Sequence, residues 1–174
     1  MTDGIAWLAV PHSIAFGGYS VVLARGLDAE ELVSRFTATV FGPARTVRSL
    51  GRLTGKELID AVEDDSWGPC PATGLRHGEV GEWVFLVKYG GRQAEFGSQA
   101  PVSRGGAHVF ELEFEELEFE EENGKPVPPA GLPDADMPRR DVHRTALEVI
   151  ERYFGLSLPR SQVLEAALPA VILE

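Results

Sequence analysis

The feature that most constrains the fold is a run of five successive apolar residues, Trp83 to Val87, inside the segment 82–89. Gly81 and the pair Gly90-Gly91 bound this segment, whose aromatic and β-branched composition is typical of a strand. Side chains alternate between the two faces of a sheet, so an apolar residue at every position requires cover on both faces. We therefore predict a central strand over residues 82–89.

A second strand signal begins at His108, where apolar residues and glutamates alternate. The apolar positions are Phe110, Leu112 and Phe114, and the acidic ones are Glu111 and Glu113. This alternation predicts a strand over 108–114 with one apolar and one acidic face. The apolar positions then shift by one at Glu115-Glu116, which requires a bulge or a tight corner there. Asn123-Gly124 predicts a hairpin turn of type I′.

Helices are predicted from capping signals and apolar periodicity. Asp28 with Glu31 predicts a helix over about 28–37, and Thr54 with Glu57 predicts one that ends at the acidic residues 63–65. A third helix is expected over 139–154, with Gly155 as the residue that ends it. Ser157 or Ser161 is expected to cap a last short helix through Leu168.

These elements predict an α+β fold, a mainly antiparallel sheet with three to four helices packed on one face. Most of residues 13–25 is expected to be strand as well. A chain of 174 residues is the size of one domain, so we predict a single globular domain over residues 1–174. Five prolines between residues 126 and 138 predict a surface loop there.

Composition excludes several classes of protein. A lone Cys70 cannot form an internal disulfide or a cysteine-based zinc cluster. The chain has no run of 18 apolar residues and no basic segment leading into an apolar one, so we predict neither a membrane span nor a signal peptide. The expected location is the cytoplasm.

The net charge of −11 is concentrated in one segment. Residues 107–138 contribute −9, and eight glutamates lie between residues 111 and 122. The remainder of the chain is close to neutral. Binding to nucleic acid requires lysine and arginine to neutralise phosphates, so we predict no nucleic-acid partner.

Three interpretations of this acidic segment are open. The first is a surface for a basic protein partner, whose binding residues are Glu111, Glu113, Glu118 and Glu120. The second is the solvated face of a sheet, whose charge protects the sheet edge. The third is a cation site. Glutamates that alternate along an extended backbone do not converge as calcium ligands do, so we predict no metal. Because like charges opposed across a sheet are destabilising, a face needed only for solubility would interleave lysine.

Other chemistry is not indicated by any motif. The four histidines, His12, His77, His108 and His143, have no metal-binding spacing, and Cys70 lies between two prolines. No serine-hydrolase motif or phosphate-binding glycine loop occurs. If their segment is helical, Arg45, Arg48 and Arg52 form a basic stripe that could contact an anion or the protein's own glutamates; the alternative is that they are simply exposed. We predict no catalytic, cofactor-binding or metal-binding residue.

Several short segments together resemble an uncharacterised actinobacterial family of unknown function, in which a strand ending in Arg-Gly-Leu leads into an acid-capped helix. The segments are Trp7-Leu8, Leu23 to Glu31, Glu82 to Phe85, Asn123-Gly124 and the pattern from Ala146 to Leu168. The resemblance implies the fold and carries no activity, ligand or catalytic residue.

The leading functional hypothesis is a non-enzymatic protein-interaction module, of an immunity or regulatory type, that uses its acidic sheet face. The alternative is a small-molecule-binding protein or enzyme with a pocket between helices and sheet, lined by Trp67, Trp83 and arginines. A third possibility is a structural subunit that associates through an apolar interface, and the sequence leaves the oligomeric state open.

Overall fold

A computed structural model of the chain describes residues 4–9, 14, 19–40, 46–65, 72–90, 103–113, 117–118 and 139–173. A short 3-10 turn, Ala6–Ala9, precedes the first strand. The strands are β1 (Tyr19–Arg25), β2 (Val47–Leu53), β3 (Thr73–Val80), β4 (Trp83–Gly90), β5 (His108–Glu113), β6 (Leu117–Glu118) and β7 (Leu168–Leu173). The helices are α1 (Ala29–Val40), α2 (Gly55–Asp65), α3 (Arg139–Phe154) and α4 (Arg160–Leu164).

The described strands form one sheet in the order β2-β7-β3-β4-β1-β5-β6. Every pair of neighbours is antiparallel. With four helices beside this sheet, the predicted α+β class is confirmed. The sheet joins distant parts of the chain, because β7 lies between β2 and β3.

Strand β4 is central, as the apolar run predicts. All seven residues from Trp83 to Tyr89 are buried. Phe85 and Val87 belong to the core on one face of the sheet, and Val84 and Leu86 to the core on the other. Continuous apolar sequence in this strand therefore follows from cover on both faces.

The two faces carry different helices. On one face, α2, α3 and α4 place Leu58, Ile150 and Val163 in a shared core with the 3-10 turn, so three helices pack on one face as predicted. On the opposite face α1 inserts Leu32 and Phe36 into a second core. The sequence signals did not indicate that α1 would be on its own side of the sheet.

The helix starts are set by the predicted caps. In α1, the Asp28 side chain accepts a hydrogen bond from the Glu31 amide at 2.7 Å. In α2, Thr54 Oγ1 accepts from the Glu57 amide at 3.3 Å, and the Glu57 carboxylate accepts from the Thr54 amide at 2.8 Å. This reciprocal pair is a capping box, which satisfies amides that the first turn leaves without helical partners.

The end of the chain departs from the prediction. Gly155, with φ of 65°, follows α3 as expected, but α4 is only five residues long. Pro159 is at the N-cap of α4, which no side chain caps, so the predicted serine cap is wrong. Leu168 begins strand β7 instead of ending a helix, and the proline that follows it is tolerated inside this strand.

Candidate functional site

The acidic candidate site lies on the hairpin of β5 and β6, which we call the acidic hairpin (residues 108–113 and 117–118). Glu111 of β5 lies directly opposite Glu118 of β6. Glu113 also belongs to β5, opposite Ser20 of β1. The fourth predicted residue, Glu120, lies outside the described residues. The structure therefore brings together three of the four predicted backbone positions.

Leu112 pairs with Leu117 in the antiparallel pair of β5 and β6. The bulge or corner predicted at Glu115-Glu116 lies outside the described residues. The turn predicted at Asn123-Gly124 and the proline-rich loop over 126–138 lie outside the described part of the chain.

The pairing of Glu111 with Glu118 is electrostatically unfavourable. Residues directly opposite in an antiparallel pair have Cβ atoms about 5 Å apart, and like charges there are destabilising. The hairpin is at one end of the described strand order, whereas the arginine-bearing β2 is at the other. Six strand spacings, roughly 29 Å along the sheet, separate the two. Arg48 and Arg52 of β2 are therefore distant along the sheet from the glutamate positions of β6.

Arg48 and Arg52 are exposed and form no helical stripe, because their segment is a strand. Arg48 and Arg52 belong to β2, where a bulge between Ser49 and Gly51 shifts the register. Arg48 lies opposite Ile172 of β7, and Arg52 lies opposite Pro169. These two partners are three positions apart, an odd number, so the two arginines are on opposite faces of the sheet. Arg48 forms an ion pair with Asp65 at 2.9 Å. Arg45 is outside the described residues.

A charged residue that the sequence analysis missed, Arg76 of β3, lies fully buried under the helices. Its guanidinium donates to three main-chain carbonyls: Nε to Leu53 at 2.9 Å, Nη1 to Val163 at 2.5 Å and Nη2 to Ala166 at 2.6 Å. These carbonyls belong to the end of β2 and to α4 and the residues just after it. Arg76 therefore ties the end of β2 and the C-terminal end of α4 to strand β3.

Arg76 also affects the neighbouring phenol of Tyr89, which lies on the same face of the sheet. Burial raises the pKa of the Tyr89 hydroxyl, and the guanidinium partly offsets this rise. A Cβ atom built on Gly55 would lie 3.1 Å from Arg76 Nη1, so the glycine that begins α2 leaves room for the guanidinium. The sequence alone gives no sign of this contact, because Gly55 and Arg76 belong to different elements.

Two of the buried hydroxyls, those of Ser20 and Thr73, are too far apart to act on one atom together. Ser20 Oγ and Thr73 Oγ1 are buried and have no hydrogen-bond partner among the described residues. Ser20 of β1 lies opposite the buried Lys88 of β4. Thr73 of β3, on the other side of β4, lies opposite Gly90, which is two residues after Lys88. Strand geometry separates their Cα atoms by roughly 12 Å, too far for both to contact one reacting atom.

The histidines lie on different elements. His77 is in β3, and His108 in β5 accepts a hydrogen bond at Nδ1 from Arg25 at 3.3 Å. His143 is part of α3, whereas His12 and Cys70 are outside the described residues. No group of three potential metal ligands occurs within the described ranges.

Trp83, one of the two tryptophans that the alternative hypothesis names, is buried in the core under the helices. Its ring is buried, with its centroid 6.3 Å from that of Phe154 and 5.1 Å from the guanidinium carbon of Arg25. Trp67 lies outside the described residues. An open groove of about 520 Å³ is found elsewhere, at the end of α3. Its lining residues are Gly4, Glu148, Glu151, Arg152, Gly155, Leu156 and Ser157.

Comparison with protein-family models, with curated proteins and with solved structures found no match to this chain. The resemblance based on the short segments remains a prediction. Among the helices of the described residues, none is both long enough and apolar enough to cross a membrane.

Proposed function

We propose that the protein is a non-enzymatic protein-interaction module, of an immunity or regulatory type, whose acidic hairpin docks a basic protein surface. The observation that carries this proposal is the position of Glu111 directly opposite Glu118. The predicted binding residues are these two glutamates together with Glu113 and Glu120.

A basic partner would compensate the negative charge of the opposed glutamates. A pair of opposed glutamates lowers the stability of the hairpin by a few tenths of a kcal/mol or more. A basic partner would reverse the sign of that contribution, because each glutamate would then face a cation. Concentrated charge also steers an oppositely charged protein toward the correct orientation and raises its association rate.

Packing between helix and sheet supports this proposal over the small-molecule alternative. Where α2 crosses β3, a Cβ atom built on Gly74 would lie 2.5 Å from Val62 Cγ2 and 2.9 Å from Leu58 Cδ1. A Cβ atom on Gly90 would lie 2.6 Å from Val62 Cγ1. This part of the interface is closed to a ligand, and the alternative hypothesis requires a cavity between the helices and the sheet.

The test is a charge-reversal variant in which Glu111, Glu113, Glu118 and Glu120 are all changed to lysine. The matched control changes four acidic residues outside the hairpin to lysine: Glu63, Asp64, Glu82 and Glu165. All four are exposed, so both variants gain the same net charge. Circular dichroism and urea unfolding establish that each variant folds.

Proteins captured from a lysate of the source organism would then be quantified by mass spectrometry. We expect a basic protein that binds the wild type and the control and is lost from the hairpin variant. With that partner purified, affinity should fall as salt concentration rises, because the contact is ionic. Equal capture by the wild type and the hairpin variant would refute the proposal.

A further inference from the structure

We draw no further inference here: the strongest candidate, the exposed edge strand β2 with Arg48 and Arg52 as a docking edge for the acidic hairpin of a second copy, carries none because Arg48 already pairs with Asp65, a bulge between Ser49 and Gly51 interrupts the edge, and nothing in the described residues shows what covers it.

Discussion

The guanidinium of Arg76 in β3 donates a hydrogen bond to the main-chain carbonyl of Val163 in α4 at 2.5 Å, across 87 residues of sequence. The same side chain also reaches the carbonyls of Leu53 and Ala166. The three carbonyl dipoles stabilise this buried charge by direct hydrogen bonds, and the Glu57 carboxylate attracts it electrostatically. The carbonyls of Val163 and Ala166 lie at the C-terminal end of α4, where the exposed ends of the peptide dipoles favour a cation.

Replacing Arg76 should therefore destabilise the protein strongly. In Arg76→Lys, a single ammonium cannot reach three carbonyls on separate elements, so buried acceptors lose their donors. We expect the free energy of unfolding to fall by about 3–5 kcal/mol. Urea unfolding monitored by tryptophan fluorescence measures this change.

The matched control is Arg144→Lys, because Arg144 pairs with Glu148 on the exposed surface of α3. Such surface pairs contribute little, and we expect a change of less than about 0.5 kcal/mol. Comparable stability of the Arg76 and Arg144 variants would show that the three carbonyl contacts do not support the fold.

A second prediction concerns the close approach of α2 to the sheet at Gly74. Gly74→Ala places a methyl group within 3 Å of Val62 and Leu58, which are buried and held by their neighbours. We expect a loss of about 1–3 kcal/mol in the free energy of unfolding, as is usual for an overpacked core.

The double variant Gly74→Ala/Val62→Ala distinguishes overpacking from a backbone effect. Removing two methyl groups from Val62 makes room for the new one. The double variant should therefore lose less free energy of unfolding than the two single variants lose in sum. Additive losses in this double-mutant cycle would contradict the packing explanation.

The capping box of α2 provides a third prediction. Thr54→Ala removes the acceptor of the Glu57 amide and the hydroxyl that donates to the Glu57 carboxylate. We expect a loss of about 1 kcal/mol at neutral pH. Thr54→Ser keeps the hydroxyl and should retain most of the stability. Equal losses of stability in Thr54→Ala and Thr54→Ser would show that the hydroxyl does not stabilise the helix start.

The capping box also lowers the pKa of Glu57, because the Thr54 amide and hydroxyl hydrogen-bond to its ionised form. A carboxyl whose pKa is lower in the folded state stabilises the fold above its unfolded pKa, and this contribution disappears as pH falls through the folded value. The difference in stability between wild type and Thr54→Ala should therefore shrink on going from neutral pH to below pH ~4. A constant difference over that range would contradict the pKa argument.

His77 provides a prediction of pH dependence with a defined sign. Burial lowers its pKa and outweighs the attraction of Glu30 to the protonated ring, while Arg52 lowers the pKa further. The folded state therefore favours neutral imidazole. Its contribution to stability is present above the unfolded value of about 6.5 and is lost as pH falls below that value.

The measurement compares wild type with His77→Gln by urea unfolding at pH 7.5 and pH 5. The wild type should lose more stability than the variant between these two conditions. Proton NMR titration of the His77 ring should also give a pKa below that of an unfolded histidine. A ring pKa at or above the unfolded value would exclude this explanation.

Local signals predicted local structure well. The caps at Asp28 and Thr54 located the starts of α1 and α2, since a cap depends on residues only three positions apart. The five apolar residues from Trp83 to Val87 indicated a strand covered on both faces.

Structure that depends on partners distant in sequence was not predicted. Arg48 and Arg52 suggested a helix stripe by spacing, but pairing with β7 decides that they lie in a strand. The helix expected through Leu168 ends at Leu164, and no signal indicated strand β7, because its two strand neighbours, β2 and β3, are far away in sequence. For the candidate site, sequence identified the glutamates, whereas the register alone placed Glu111 opposite Glu118.

The sequence by itself determined where charge is concentrated, where α1 and α2 start and which strand is central, because these properties depend on neighbouring residues. Only the tertiary structure decided that α1 covers its own face of the sheet, that β7 lies between β2 and β3, and that Arg76 is buried. Burial of a charge depends on carbonyls contributed by Leu53, Val163 and Ala166, and only folding brings these residues together.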